Sequence, residues 1–344
     1  MLAIVLEFAT GMPLARAVDV HPICAQFPPN EKGEPEPFCD LWQTSDDAGK
    51  ARPVRNEAKI IDWLPPGWGS DIVLLGEVHD NPSHHAIRGG LAVQLSGMRR
   101  IGGSLPSTGL VFEHIRADQQ PALDQFAEFN AKARRLGTAG DLFRLLDWDK
   151  SGWPDQKIFE PLFSAAIAGK LPILPGDPPR ERVRAIAKGG DAALTDDERQ
   201  RFKLDQPLDA KLQDALLGEL EASHCGLMPK SAFGNMAVAQ RYRDAHLADA
   251  LAKAADKHGA AILLAGNGHV RKDRGVPSYL SRMAPDRKVV SVMLLEVEDG
   301  RNEPEAYIPR DPDGKPAVDY VLFTPRAERK DPCAEMRERF GKHK

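Results

Sequence analysis

The sequence predicts an α/β protein: a mostly parallel sheet flanked by helices, with a smaller helical subdomain attached. Three observations carry that reading. Short, continuous apolar runs of the kind buried on both faces of a parallel sheet recur at "DIVLL", "TGLVFEHI", "LPILPGDPPR" and "AAILLAGNGHVR". Helical stretches separate the runs, which is the alternation of a βαβ protein. Each run also stops abruptly at acids, histidines, asparagine or glycine.

Size and composition permit such a fold. The 344 residues suffice for one large domain or two ordinary ones, and 42% hydrophobic residues are enough for a real core. With 46 basic against 50 acidic residues the formal charge is −4, so no global field would hold nucleic acid or an anionic membrane. No apolar run approaches the roughly 18 residues of a spanning helix, so the mature protein is expected to be soluble.

Residues 1–17 form a candidate signal peptide: an apolar stretch, interrupted by Glu7 and lacking a basic start, leads to the small-x-small pattern Ala15-Arg16-Ala17. Residues 18–66 are rich in proline, glycine and charge ("FPPNEKGEPEPF", "WLPPGWG") and read as an extended arm rather than a core element. The cysteines Cys24, Cys39, Cys225 and Cys333 show no Cys-x-x-Cys spacing. Their even number and wide separation fit one or two structural disulfides in an oxidising compartment. Cys24 with Cys39 would close a short loop, and Cys225 with Cys333 would tie the tail to the body; idle thiols are the alternative.

The main domain, 67–330, begins with the strand "DIVLL" from Asp71. Asn81 is an N-cap with Pro82 at the first helical position, and Ile87, Leu91 and Leu95 follow at helical spacing. The second strand, "TGLVFEHI", precedes a helix over about Gln119 to Leu136, and the third stops at Gly176-Asp177. A helical insertion spans about 180–258, with a capping box at Thr195 to Glu198, a stripe of Leu212, Leu216 and Leu220, and a long helix from about Ser231 to Lys257. The fourth strand lies within 260–271. "KVVSVMLLEV" and "YVLFTP" read as later strands, placed as antiparallel edges, and 331–344 as a tail.

In an open parallel sheet the residues just beyond the carboxyl ends of different strands meet in one crevice. That rule puts Glu77, His79, Glu113, His114, Asp177, Asn267 and His269 on one rim. Singly, each is more often a solvated turn residue or a satisfied core histidine. Four strand ends bearing such groups together point to a site. In one reading Glu77, His79 and His269 hold a divalent metal, and the catalytic groups of a hydrolase are Glu77, Glu113 as base or second ligand, and Arg271 stabilising negative charge. In another the same histidines hold haem propionates or iron. Arg271, Arg88 and the helix start after Asn81 would attract an anion. The glycines of "AGNGH" permit close backbone approach, but a lone G-x-G does not indicate a dinucleotide. On the long helix Met236, Leu247 and Leu251 share a stripe with Gln240 and Asp244, which either bond internally or face the crevice; His224 and His246 read as packing.

The motifs "LLGEVHDNPSHH", "LVFEHI", "HCGLMP", "AVAQRYRDAHLADAL" and "LLAGNGHVRKDRGVPSYL", in this order, resemble the ChaN-like haem-binding uptake family of the Tiki, TraB and erythromycin esterase superfamily, over roughly Asp71 to Pro325. The resemblance implies the same fold and a periplasmic or outer-membrane-associated role in haem or iron acquisition. It also implies a homodimer around cofacial haems, with outer-membrane uptake machinery as a partner. The superfamily's Gly-Glu-x-His falls on Gly76, Glu77 and His79, its later glutamate on Glu113, and its Gly-x-x-His element on Gly266 to His269. The haem ligand of ChaN-type proteins is a tyrosine, and Tyr242 and Tyr279 lie within family-like motifs. With Glu77, His79, Glu113, His269 and Arg271 they complete the expected cofactor-binding set. The "VHPI" before Cys24 does not resemble a lipobox.

Overall fold

The computed structural model describes residues 41–45, 49–54, 71–101, 108–132 and 135–341. The candidate signal peptide, the Cys24–Cys39 pairing and most of the arm lie outside the described residues.

The strands are β1 Leu41–Gln43, β2 Arg52–Val54, β3 Ile72–Leu75, β4 Gly109–Arg116, β5 Ile173–Asp177, β6 Ala261–Leu264, β7 Val289–Val297 and β8 Tyr320–Pro325. They form one sheet in the order β2-β1-β8-β7-β3-β6-β4-β5. The pairings β7–β8, β7–β3, β3–β6, β6–β4 and β4–β5 are parallel, and β1 pairs antiparallel with both β8 and β2. The period-two geometry of the strands divides the core. Val73, Leu75, Phe112, Leu264 and Val292 face one layer of helices, and Ile72, Leu74, Val111, Leu263 and Met293 face the other.

The first layer contains α1 (Pro82–Ile101), α2 (Gln120–Lys132), α3 (Ala139–Leu145) and α4 (Gln156–Ala168). Asn81 caps α1 as expected, its Oδ1 accepting from the Ser83 amide at 2.9 Å, and Ile87, Leu91 and Leu95 are buried against the sheet. The second layer is built on α8 (Lys230–His258), whose Ala245, Leu247, Ala248 and Leu251 are fully buried. Over α8 lie α5 (Arg180–Gly189), α6 (Asp196–Arg201) and α7 (Ala210–Ser223), and α9 (Val276–Met283) packs beside it. Within 180–258 the long helix thus belongs to the sheet's own layer, while the shorter helices cover it.

Two expectations are corrected. "KVVSVMLLEV" and "YVLFTP" contain β7 and β8, which run parallel to β3; residues 298–319 between them give the chain length for the crossover that parallel neighbours need. The antiparallel edge comes instead from the arm, whose described part forms the β1–β2 hairpin. Leu41 is only 2% exposed and belongs to the core, and the Thr44 hydroxyl donates to the Val318 carbonyl at 2.5 Å. Proline in this segment is compatible with a strand because Pro53 lies on the outermost strand, where a missing N–H breaks no inner ladder.

Cys225 and Cys333 form a disulfide between the turn after α7 and α10 (Pro332–Gly341), across a sequence separation of 108. Closing so long a loop restricts the unfolded chain, so Cys333→Ser is expected to lower stability by about 2–4 kcal/mol. The check is a urea titration under oxidising conditions. Reductant should lower the wild-type midpoint by much more than that of the variant.

Candidate functional site

The rim gathers at the ends of β3, β4, β5 and β6. Just past β3 the chain must pass close beneath the loop after β6: a Cβ on Gly76 would collide with Asn267 Oδ1 and lie 2.8 Å from Val270 Cγ2. Glycine is therefore required before the glutamate. Glu77 is then carried inward, 2% exposed, and becomes the hub of a cluster. Its Oε1 accepts from His79 Nδ1 and from His114 Nε2, each at 2.7 Å. Its Oε2 is ion-paired with the fully buried Arg88, which also donates to the Leu75 carbonyl at 3.2 Å and the Ala265 carbonyl at 3.4 Å.

These partners assign the tautomers. A carboxylate oxygen only accepts, so His79 carries its proton on Nδ1 and His114 on Nε2. His85 donates from Nε2 to the His79 carbonyl at 2.9 Å and accepts at Nδ1 from Arg88 at 3.1 Å, which fixes the backbone beneath His79. Two lone pairs are left over. His114 Nδ1 is buried with no hydrogen-bond partner, and His79 Nε2 has none among the described residues. The His79 side chain is 37% exposed, whereas those of His85 and His114 are closed off completely. Burial holds the His79 imidazole below its ordinary pKa, and it holds His114 well below, so both rings are neutral near pH 7.

A second cluster lies beside the first. Glu113 Oε1 accepts from Arg243 at 2.7 Å and His269 Nε2 at 3.1 Å, and Oε2 accepts from the Gly266 amide at 2.7 Å. His269 Nδ1 donates to Asp244 at 2.6 Å, and Arg243 also donates to Asp177 at 2.7 Å. Burial alone would lower the His269 pKa, but the flanking carboxylates of Glu113 and Asp244 outweigh it and raise it to about 10. Burial likewise opposes ionisation of Glu113, yet His269 and Arg243 hold it well below the usual carboxylate range. The cluster is thus a fixed array of charges. The clusters touch at Gly266, where a Cβ would lie 2.8 Å from His79 Nε2.

The structure brings together Glu77, His79, Glu113, His114, Asp177 and His269, and both polar residues on the long helix face the crevice, Asp244 bonded to His269 Nδ1 at 2.6 Å and Gln240 beside it at 3.4 Å. It separates other expected residues from this centre. Tyr242 is buried in the second layer, its hydroxyl donating to Glu198 at 3.0 Å, and Tyr279 is fully buried, its hydroxyl accepting from Arg241 at 3.2 Å. Arg271 makes a two-pronged pair with Asp273 at 2.6 and 3.0 Å, to one side of the rim. Arg88, read as an anion attractor, is instead the counter-ion of Glu77, because the side chain nearly two turns into α1 points down into the sheet. Arg243, His85 and Trp153 were missed. Trp153 donates to the His114 carbonyl at 3.2 Å and its ring stands 4.8 Å from that of His79. The one sequence signal for Arg243 is its place beside Asp244 on a buried helix.

The family model for haem-binding uptake proteins of the Tiki superfamily, ChaN, matches residues 68–280, most of the chain. The chain belongs to that family. Among solved structures it resembles one described as cofacial heme binding to ChaN of Campylobacter jejuni, at a TM-score of 0.57 and 21% identity, covering 82% of this chain and 96% of that one. That likeness agrees with the α/β fold. A succinoglycan biosynthesis protein (12% identity, TM-score 0.30, 67% of each chain) and a Bacillus cereus protein (17%, 0.34, 70% of each) are too distant to bear on it. No curated protein matches the sequence.

The buried histidines of this ChaN-family protein give it a readable pH signature. His84 and His85 are buried neutral, with pKa values lowered to about 3 and about 4, chiefly by burial. Between the ordinary 6.5 and those values the unfolded chain binds more protons, so stability falls as pH falls through that window. His269 acts in the opposite sense: its contribution is complete below 6.5 and is lost as pH rises toward about 10. Urea midpoints measured from pH 4 to 10 should therefore peak near neutrality. His269→Gln should flatten the alkaline limb and leave the part of the acid limb that His84 and His85 carry.

Proposed function

We propose that this protein binds haem as cargo for haem or iron uptake, with His79 as the iron ligand at the carboxyl rim of the sheet. The observation that carries this is the His79 imidazole: neutral, partly open to solvent, and held through Nδ1 by the buried Glu77, which leaves the Nε2 lone pair for iron. A carboxylate on the far nitrogen is the usual support of a metal-binding histidine, since it fixes the tautomer and makes the ring more basic. Trp153 beside the ring supplies an apolar aromatic face. Membership of the haem-binding uptake family supports the same cargo.

Two further parts of the proposal concern place and assembly. The protein works in an oxidising compartment, as a periplasmic or outer-membrane-associated protein serving outer-membrane uptake machinery, and the Cys225–Cys333 disulfide supports that placement. No described helix is long and apolar enough to cross a membrane. Haem-loaded protein forms a homodimer, by analogy with the cofacial haems named for the Campylobacter jejuni structure.

A haem titration followed by absorbance, with light scattering on the loaded sample, tests both. A saturable Soret shift at a simple ratio, together with a doubled mass, is the expected result. No saturable shift removes the haem reading, and a monomer at saturation removes the dimer.

One observation favours a second reading. Ligand atoms of Glu77, His79 and His114 all lie within 4.8 Å of one another, two histidines and a carboxylate, and His114 Nδ1 is an orphan. A divalent ion held there would supply an activated water for hydrolysis. His269, placed in that ligand set from the sequence, has both nitrogens occupied by carboxylates. Elemental analysis of the purified protein before haem is added separates the readings: stoichiometric metal lost in His79→Ala and in His114→Ala supports a hydrolase.

A further inference from the structure

Beside the charge array lies a cavity of about 550 Å³ that the haem proposal does not use. Its walls are α7, α8, the loop after β6 and the outer half of β7. Leu216, Leu220, Met293 and Leu295 supply an apolar lining, while Gln240 and Asp244 present polar groups from α8. The loop contributes two guanidinium groups, Arg271 and Arg274, whose side chains are only 10% and 6% exposed.

The counter-ions of this pair are unequal. Asp273 is buried and serves both, accepting from Arg274 at 2.8 Å as well as from Arg271. The remaining partner of Arg274 is Glu219 of α7, whose side chain is 53% exposed. A buried guanidinium needs an anion, but an exposed carboxylate gives up well-hydrated oxygens to provide one, and such pairs add little. Glu219 also sits on a weakly seated helix: among the residues of α7 only Leu216 is buried. The helix ends two residues before Cys225, which stands in left-handed backbone at φ 56° and is bound to the tail by its disulfide.

We propose that this cavity binds an apolar molecule carrying a carboxylate, and that Glu219 occupies the seat of that carboxylate at Arg274 until the ligand displaces it. The ligand's apolar body rests on Leu216, Leu220, Met293 and Leu295, and its carboxylate completes the pairing of Arg274 in a drier setting than Glu219 can. Two sources share this chemistry, a tetrapyrrole with its propionates and an aliphatic carboxylate. The site does not require iron, so it is separable from the assignment of His79.

The test uses metal-free protoporphyrin IX and laurate as probes, titrated into the full-length protein and followed by tryptophan quenching and calorimetry. Arg274→Gln should weaken binding by about tenfold or more. Glu219→Gln removes the competing carboxylate and should tighten it by about two- to fivefold. Glu219 is exposed, so that variant folds even where Arg274→Gln does not, and the thermal melt of each reports this. Displacement of porphyrin by laurate supports an aliphatic source, and porphyrin binding that Arg274→Gln weakens but laurate leaves untouched supports the tetrapyrrole. Laurate binding alone, with the same response to Arg274 and Glu219, supports the aliphatic source too. Failure of both probes to bind the folded wild type, or binding that Glu219→Gln leaves unchanged or weakens, overturns the proposal. The haem reading fails on a different result, the absence of a saturable change in a titration with haem itself, whose iron protoporphyrin lacks.

Discussion

His79→Ala abolishes the saturable Soret shift, weakening haem binding by more than about a hundredfold, while the thermal melt stays close to that of the wild type. The two halves of this expectation have separate causes. Binding is lost because His79 is the partly exposed imidazole of the cluster, with Nε2 unengaged; His84, His85 and His114 are sealed beneath it. Stability is kept because the ring packs at the edge of the rim, and its removal leaves Glu77 with His114 and Arg88. Glu77→Gln should act more mildly on haem, by about ten- to a hundredfold, since it loosens the ring without removing it. Tyr242→Phe and Tyr279→Phe should leave the spectrum unchanged, because both hydroxyls are engaged inside the second layer. A normal spectrum in His79→Ala with loss in either tyrosine variant would transfer the ligand to that tyrosine.

The second large effect is on folding. Arg88→Ala is expected to destabilise the protein by about 3–5 kcal/mol, because it strands the buried Glu77 carboxylate without its cation. Burial already lowers the pKa of Arg88 itself to about 9, a sign of how little solvent reaches the pair. The double variant Arg88→Ala with Glu77→Gln should recover part of the loss, since a neutral amide tolerates burial better than an unpaired charge. Urea denaturation of both proteins decides it. A single variant within 1 kcal/mol of wild type would mean that water or a shifted proton neutralises Glu77, and the hub would have to be redrawn.

The rim was legible because two rules converge on it. Continuous apolar runs identify strands buried on both faces, and parallel strands bring their carboxyl ends together, so Glu77, His79, Glu113 and His269 could be grouped from sequence alone. Arg243 was not legible for the opposite reason. It reaches Glu113 and Asp177 from a helix on a different layer, and apart from its place beside Asp244 nothing in the local pattern of α8 distinguishes it from Arg241. The tyrosines illustrate the same limit, as a motif position does not say which face of a helix it occupies.

By itself, then, the sequence determined the βαβ alternation, the start of α1 at Asn81 and the membership of the rim, because these depend on periodicity, capping chemistry and chain direction, all of which are local. Tertiary structure alone decided the parallel run of β7 and β8 and the recruitment of the arm into the sheet edge. It also divided the rim's charges into a hub at Glu77 and an array around Glu113. Those outcomes depend on which residues distant in the chain become neighbours, and in a dry interior the nearest opposite charge determines which groups stay ionised and which nitrogen keeps its lone pair.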